Sequence, residues 1–267
     1  MEDQTRHFYD SLADDYHLIF QDWEAAQARQ ARLIAGWLEA QGVQRNAPIL
    51  DCACGIGTQV LGLASLGYDQ VWGTDISPRA IQRAETEARK KGLHLPFATV
   101  DIRNLANWAP QPYRVILAID NVLPHFLTAA DLQCALSHIR DCLAPDGLFI
   151  ASVRRYDELR SARPKATSIV KSGRKGQRVY TFQEWNWETG TNRYRLDHYT
   201  VKQDPIERWQ MKKRQAFYRA WSLTELAAAY QKAGYKNIKI LKETQSGFYQ
   251  PVLLAQGGRK ADREKGD

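Results

Sequence analysis

Cysteine and methionine are scarce in this 267-residue chain, with four and two residues respectively. Cys52 and Cys54 are too close together, and Cys134 and Cys142 too far apart, to make the Cys-x-x-Cys pairs that hold zinc with partner histidines. No metal site and no disulfide framework is therefore expected, and the thiols read as reduced and buried. Apolar runs of about 18 residues are also lacking, so no segment is expected to span a membrane. The first ten residues, MEDQTRHFYD, have neither the basic nor the apolar region of a secretory signal, and the expected location is cytoplasmic. What the chain does have is core material. Hydrophobic residues make up 44%, enough for one large domain, or one domain with an insertion.

Charge is unevenly spread. Residues 154–219 hold 17 Lys/Arg against 7 Asp/Glu, a local excess larger than the net +7 of the whole chain. Such a segment can steer an anionic substrate, touch nucleic acid or simply be a solvated surface.

Apolar and aromatic residues recur at helical spacing over 8–41, through Leu12, Tyr16, Phe20 and Trp23 to Ile34 and Leu38, and Gly42 is a plausible stop. Strands are then expected at 48–52, 71–75, 96–100, 113–119 and 148–153. Helices are expected at 59–66, 78–91 and 128–143, with Ser77-Pro78 opening the second as N-cap and first helical residue. This alternation predicts an α/β fold with a parallel sheet covered on both faces. From 154 the pattern changes. Residues 179–187 and 193–201 alternate by two around a turn, and 206–221 adds a third strand-like run, giving an inserted antiparallel sheet. Ser222 and Glu225 cap a helix, and strands at 238–241 and 248–255 complete the main sheet. The expected division is thus 1–153 for the N-terminal helices and ligand-binding core, 154–221 for the insertion, 222–256 for the closing elements and 257–267 for a flexible tail.

The chemistry-bearing positions cluster at strand ends. Asp51-Cys52-Ala53-Cys54-Gly55-Ile56-Gly57 follows the first strand and opens a helix, where glycines let a ligand approach the backbone. Asp75 ends the second strand, where a carboxylate can accept from both ribose hydroxyls. Asp101 ends the third and is placed to meet an exocyclic adenine amine, and Asp120-Asn121 ends the fourth. Polar residues at four strand ends facing one crevice point to a ligand, because carboxylates are not left unpaired there without one.

Taken together, Asp51 to Gly57, Asp75-Ile76, Asp101-Ile102 and Ile119-Asp120-Asn121 resemble the successive motifs of class I S-adenosylmethionine-dependent methyltransferases. The resemblance implies a Rossmann-like seven-stranded sheet whose last strand is antiparallel, with the inserted small sheet over the active site. Within that class the chain is most similar to the glycine (glycine/sarcosine) N-methyltransferase-like group. The likeness lies in Asp51 to Gly57, in Asn121 with His125, in Arg154-Arg155-Tyr156-Asp157, and in Leu196-Asp197-His198-Tyr199-Thr200-Val201. By it, S-adenosyl-L-methionine is the cofactor, and Tyr16, Trp23, Arg29, Asp51, Ala53, Gly55, Gly57, Asp75, Ile76, Asp101, Ile102 and Ile119 are its expected contacts. Strict counting from the group's N-terminal arginine lands on Ala26; Arg29, one helical turn on, is taken instead. Arg154, Tyr199 and Tyr218 are expected to bind substrate, and Asp120, Asn121 and His125 to form the catalytic set. Asp120 stands where the group has glycine, and Gly247-Phe248-Tyr249-Gln250-Pro251 lies outside the likeness.

The activity implied is methyl transfer to a small-molecule acceptor, most simply an amine nitrogen of an amino acid or related metabolite. His125, Asp120 or water would take the amine proton. Arg154 would fork a carboxylate, or else pair with Asp157 or Glu158. The alternatives are an RNA methyltransferase using the basic 154–219 segment and a small-molecule O-methyltransferase. The Asp/Asn-Pro-Pro-Tyr/Phe loop of base amino-methylases is replaced here by Asp120-Asn121-Val122-Leu123, which disfavours nucleic acid. No membrane partner is expected, and a homo-oligomer is possible. The Gly- and Lys/Arg-rich stretch at 168–178 reads as a mobile lid.

Overall fold

A computed structural model describes residues 2–173 and 177–257. The N-terminal region is not one helix. It comprises α1 (Glu2–Leu12), a 3₁₀ turn at Tyr16–Ile19 and α2 (Trp23–Ala40). Asp22 ends the break as N-cap of α2, its side chain accepting from the Ala25 N–H. The aspartates at 14, 15 and 22 favour caps and turns over helix interior, and the apolar spacing did not reveal this.

The main sheet then alternates with helices: β1 (Ile49–Asp51), α3 (Thr58–Ser65), β2 (Val71–Asp75), α4 (Pro78–Lys90), β3 (Phe97–Thr99), α5 (Leu105–Trp108), β4 (Tyr113–Ala118), α6 (Ala129–Asp141) and β5 (Leu143–Ser152). Pro145-Asp146-Gly147 bulges within β5, where the register to β4 shifts. The insertion comprises α7 (Tyr156–Ala162), β6 (Val170–Ser172), β7 (Val179–Trp187), β8 (Arg193–Gln203) and β9 (Trp209–Arg219). The chain closes with α8 (Leu223–Lys232), β10 (Lys236–Leu241), α9 (Glu243–Ser246) and β11 (Val252–Gln256).

The seven strands lie in the order β10-β11-β5-β4-β1-β2-β3, and β11 runs antiparallel to both its neighbours. β6 to β9 form a separate antiparallel sheet. Successive strand residues serve opposite layers. Ile49, Val115 and Ile150 pack with Ile34 and Leu38 of α2, while Leu50, Ile116 and Phe149 pack with Leu136 of α6 and Leu226 of α8. The strand order reverses between β1 and β4, which opens a crevice beyond their carboxyl ends. α1 and the inner face of the second sheet cover that crevice.

The 168–178 stretch is in part an edge strand, β6, paired with β7. Residues 174–176 of that expected lid, and 258–267 of the expected tail, lie outside the described residues.

Candidate active site

The loop after β1 is shaped by its glycines. Gly57, at φ 90°, caps α3, and a Cβ there would meet Ala84 and Leu61 at 3.3 Å. Gly57 therefore serves the turn and stands behind the crevice wall. Gly55, at φ 53°, points its N–H at Asp75 Oδ2, 2.9 Å away, and Ser77 N–H donates to Asp75 Oδ1 at 2.9 Å. Two backbone donors thus hold a buried carboxylate at the crevice, where burial pushes its pKa up to about 6. Asp51 lies deeper. Its Oδ1 accepts from Ala53 N–H at 3.2 Å, its Oδ2 is buried without a hydrogen-bond partner, and burial lifts its pKa to about 8. An orphaned buried carboxylate oxygen is a position where a cationic ligand group would relieve a cost.

A first cavity is walled by Ala53, Gly55, Asp75, Ile76, Ile102 and Ile119, with Tyr16 over it. A Cβ on Gly55 would stand 3.7 Å from the Tyr16 ring, so the loop passes directly beneath that tyrosine. Asp101 also lines the cavity, tied to Arg103 at 2.6 Å. Trp23 does not reach it. Its indole N–H donates to Thr58 Oγ1 at 3.0 Å, and its ring packs with Ile56, Leu61 and Ala88. The break between α1 and α2 explains the difference, because it turns Tyr16 toward the crevice and leaves Trp23 facing α3.

A second cavity, of about 690 Å³, adjoins the first and shares Tyr9, Tyr16 and Asp120 with it. Asn121, Arg154, Gln183, Tyr218 and Tyr249 line it, and exposed Arg29 stands at its α2 side, away from the first cavity. Asp120 and Asn121 both adopt left-handed backbone, at φ 66° and 74°. Such conformations cost energy in non-glycine residues and collect at functional sites. Asn121 is locked: its Oδ1 accepts from Arg154 N–H at 3.1 Å and its Nδ2 donates to Tyr156 at 3.0 Å.

The Arg154 guanidinium donates to Tyr194 Oη at 3.3 Å and Gln183 Oε1 at 3.1 Å, and lies 4.7 Å over the Trp185 ring. It pairs with no carboxylate among the described residues. Asp157 instead accepts from Leu223 N–H, and Glu158 pairs with Arg155. His125 bonds through Nε2 to the Tyr9 hydroxyl at 2.8 Å and packs 4.3 Å from Tyr218, and its Nδ1 is buried without a partner. Burial, with Arg154 nearby, lowers its pKa to about 3, which makes it a poor proton acceptor at neutral pH. His125 orients Tyr9 and keeps the wall neutral.

Tyr199 is placed elsewhere. It pairs with Lys213 in the register that sets Tyr194 opposite Tyr218, so its odd position puts it on the outer face of the inserted sheet. There it stacks on Phe182 at 4.8 Å and donates to Glu184. Tyr9, Gln183 and Tyr249 also line the second cavity and Tyr194 holds Arg154, and no sequence motif marks them. Tyr194 was accessible from alternation with the apolar Leu196; Tyr9 and Tyr249 meet the site only through the tertiary fold.

Part of the insertion's positive charge is paired within the fold. Buried Asp15 holds Arg214 at 2.6 Å together with Lys202, and Asp197 holds Lys213 at 2.7 Å and Arg195 at 2.9 Å. Burial raises the Asp15 pKa, but the two cations outweigh it and the net shift is downward. No described helix is long and apolar enough to cross a membrane.

Residues 49–147 match the methyltransferase domain family model. A glycine/sarcosine N-methyltransferase of Halorhodospira halochloris is 28% identical over 153 residues, 57% of this chain and 55% of that protein. The match thus spans about half the length of that curated relative. Among solved structures, an S-adenosylmethionine-dependent methyltransferase from Clostridium acetobutylicum superposes with a TM-score of 0.70 at 17% identity, covering 96% of this chain and 98% of the other. The sugar N-methyltransferase KedS8 from a Streptoalloteichus species gives 0.68 at 15%, covering 89% of each chain.

Proposed function

We propose that this chain, a class I S-adenosylmethionine-dependent methyltransferase by its domain match and fold, transfers a methyl group to an amine nitrogen of a small carboxylate-bearing acceptor. The donor's sulfonium supplies an activated methyl group, so the protein's contribution is positioning and desolvation, worth up to about 7–11 kcal/mol. The first cavity suits the donor. Asp75 would accept from ribose hydroxyls, Ile76, Ile102 and Ile119 would enclose the adenosine, and the orphaned Asp51 oxygen offers a partner for an ammonium. Arg29 would take the donor carboxylate only by reaching across from the second cavity.

The observation that carries the acceptor class is Arg154. A guanidinium held by neutral groups alone, in the wall of a cavity that meets the donor site at Asp120, is complementary to a carboxylate. An acceptor anchored there would present its amine toward Asp120 and Tyr16. The relative from Halorhodospira, named for glycine and sarcosine, is consistent with this class. Internal pairing at Asp15 and Asp197 leaves less of the basic segment for a nucleic-acid backbone. The test is release of S-adenosylhomocysteine across a panel of amino acids, amino sugars, carboxylate-free amines, phenols and RNA. Turnover confined to phenols or RNA would overturn the proposal.

A further inference from the structure

We infer that Tyr249 and Gln250, in the loop between α9 and β11, are positioning residues that hold Asp120 to receive the acceptor's ammonium and take its proton. The inference rests on the methyl-transfer reading above.

The two residues grip Asp120 from both ends. Tyr249 donates its hydroxyl to Asp120 Oδ1. Ser152 Oγ donates to Gln250 Oε1 at 2.9 Å and itself accepts from Asp120 N–H at 2.9 Å. The loop therefore fixes both the carboxylate and the left-handed backbone that aims it. From the opposite side Gln30 Nε2 donates to Oδ2 at 3.3 Å, with Gln59 behind it at 3.5 Å. All these donors are neutral, and among the described residues Asp120 is in no ion pair. Arg154 lines the same cavity and, among the described residues, is likewise in no ion pair. One unpaired carboxylate and one unpaired guanidinium in a common cavity fit a zwitterion: ammonium on Asp120, carboxylate on Arg154.

The step balances simply. The acceptor ammonium gives one proton to the Asp120 carboxylate. The freed lone pair then bonds the donor's methyl carbon as the carbon–sulfur bond breaks, and that electron pair stays on sulfur. The proton leaves to water past Tyr249, which is 54% exposed at the mouth. The charged or titratable groups facing Asp120 are Tyr16 from the 3₁₀ turn, Tyr249, Arg154, and Asp51 beneath. Burial raises the Asp120 pKa, while Tyr249, the two glutamines and Arg154 oppose the rise. Tyr249 thus favours the charged form of Asp120 as well as aiming it.

The test follows the carboxyl carbon-13 shift of Asp120 against pH in the donor-free protein, for wild type and Tyr249→Phe. Loss of a hydrogen bond to the charged form should raise the Asp120 pKa by about one unit. With sarcosine, or the best acceptor from the panel, the acidic limb of kcat/KM should move alkaline by the same amount. Gln250→Ala should raise the acceptor KM several-fold without changing affinity for S-adenosylhomocysteine. Asp120→Asn should lose about a hundredfold in kcat or more and abolish the acidic limb. An unmoved Asp120 titration in Tyr249→Phe, or an Asp120→Asn enzyme within twofold of wild type, would overturn the inference. Failure of the wild type to bind S-adenosylhomocysteine would instead strike the methyl-transfer reading, and the carbon-13 titration would still decide the clamp.

Discussion

Replacing Arg154 by lysine tests the acceptor class most directly. The native guanidinium spreads its donors over Tyr194 and Gln183 and lies on Trp185. Its planar fork can add two parallel bonds to a carboxylate, and a lysine ammonium, a point charge, cannot make both. Removing one partner of a buried, hydrogen-bonded charge pair costs about 2–5 kcal/mol, and retention of the positive charge should keep Arg154→Lys near the lower end. About 2 kcal/mol is roughly a thirtyfold loss in kcat/KM. The loss should appear with a carboxylate-bearing acceptor and vanish with its decarboxylated analogue, which never used the fork. Affinity for S-adenosylhomocysteine should hold, because Arg154 lines only the second cavity. Loss of two hydrogen bonds and the stacking contact should also lower stability by about 1–2 kcal/mol, read from urea unfolding. The assay is steady-state kinetics on the matched acceptor pair, with calorimetry of product binding on the same preparation. Equal losses on both acceptors, or none on either, would refute the anchor and leave Arg154 as a brace between β7 and β8.

Asp75→Ala should weaken S-adenosylhomocysteine binding by about 1.5–3 kcal/mol in calorimetry, since it removes a charged acceptor at the crevice and also frees the Gly55 and Ser77 N–H groups. Binding of S-adenosylmethionine near pH 7 should release up to one proton. Asp51, lifted to about 8 by burial, would be driven to ionise by the donor's ammonium. Titrations in buffers of different ionisation enthalpy should show that release, and Asp51→Asn should remove it. His198 stays neutral in the fold down to about pH 4, because burial, then Arg214, lowers its pKa. The unfolded chain takes that proton near 6.5, so stability is present above 6.5 and falls as pH drops toward 4. The His198 share of that loss should be about 2 kcal/mol between pH 7 and 5, read as the difference between the pH-dependent urea midpoints of wild type and His198→Gln.

The sequence by itself determined the sheet and its loaded edge. Alternating apolar strands with capped helices leave little choice of layer order, and right-handed crossovers then bring the ends of β1 to β4 to one crevice. Local signals such as Ser77-Pro78 and the Ser222–Glu225 box were legible because capping acts within a few residues. The placement of Asp75 and Asp120 at the crevice was legible because strand ends in this topology share a rim, whereas Asp51 lies deeper. What lay beyond local signals needed the tertiary structure. The break at 13–22 separates Tyr16 from Trp23, since a helical period does not report where the axis turns. The pairing of β8 with β9 sends Tyr218 inward and Tyr199 outward, and a one-residue difference in parity decides a face. The grip of Tyr249 and Gln250 on Asp120 joins residues about 130 apart in sequence. Only the antiparallel docking of β11 against β5, which seats that loop beside Ser152, could bring them together.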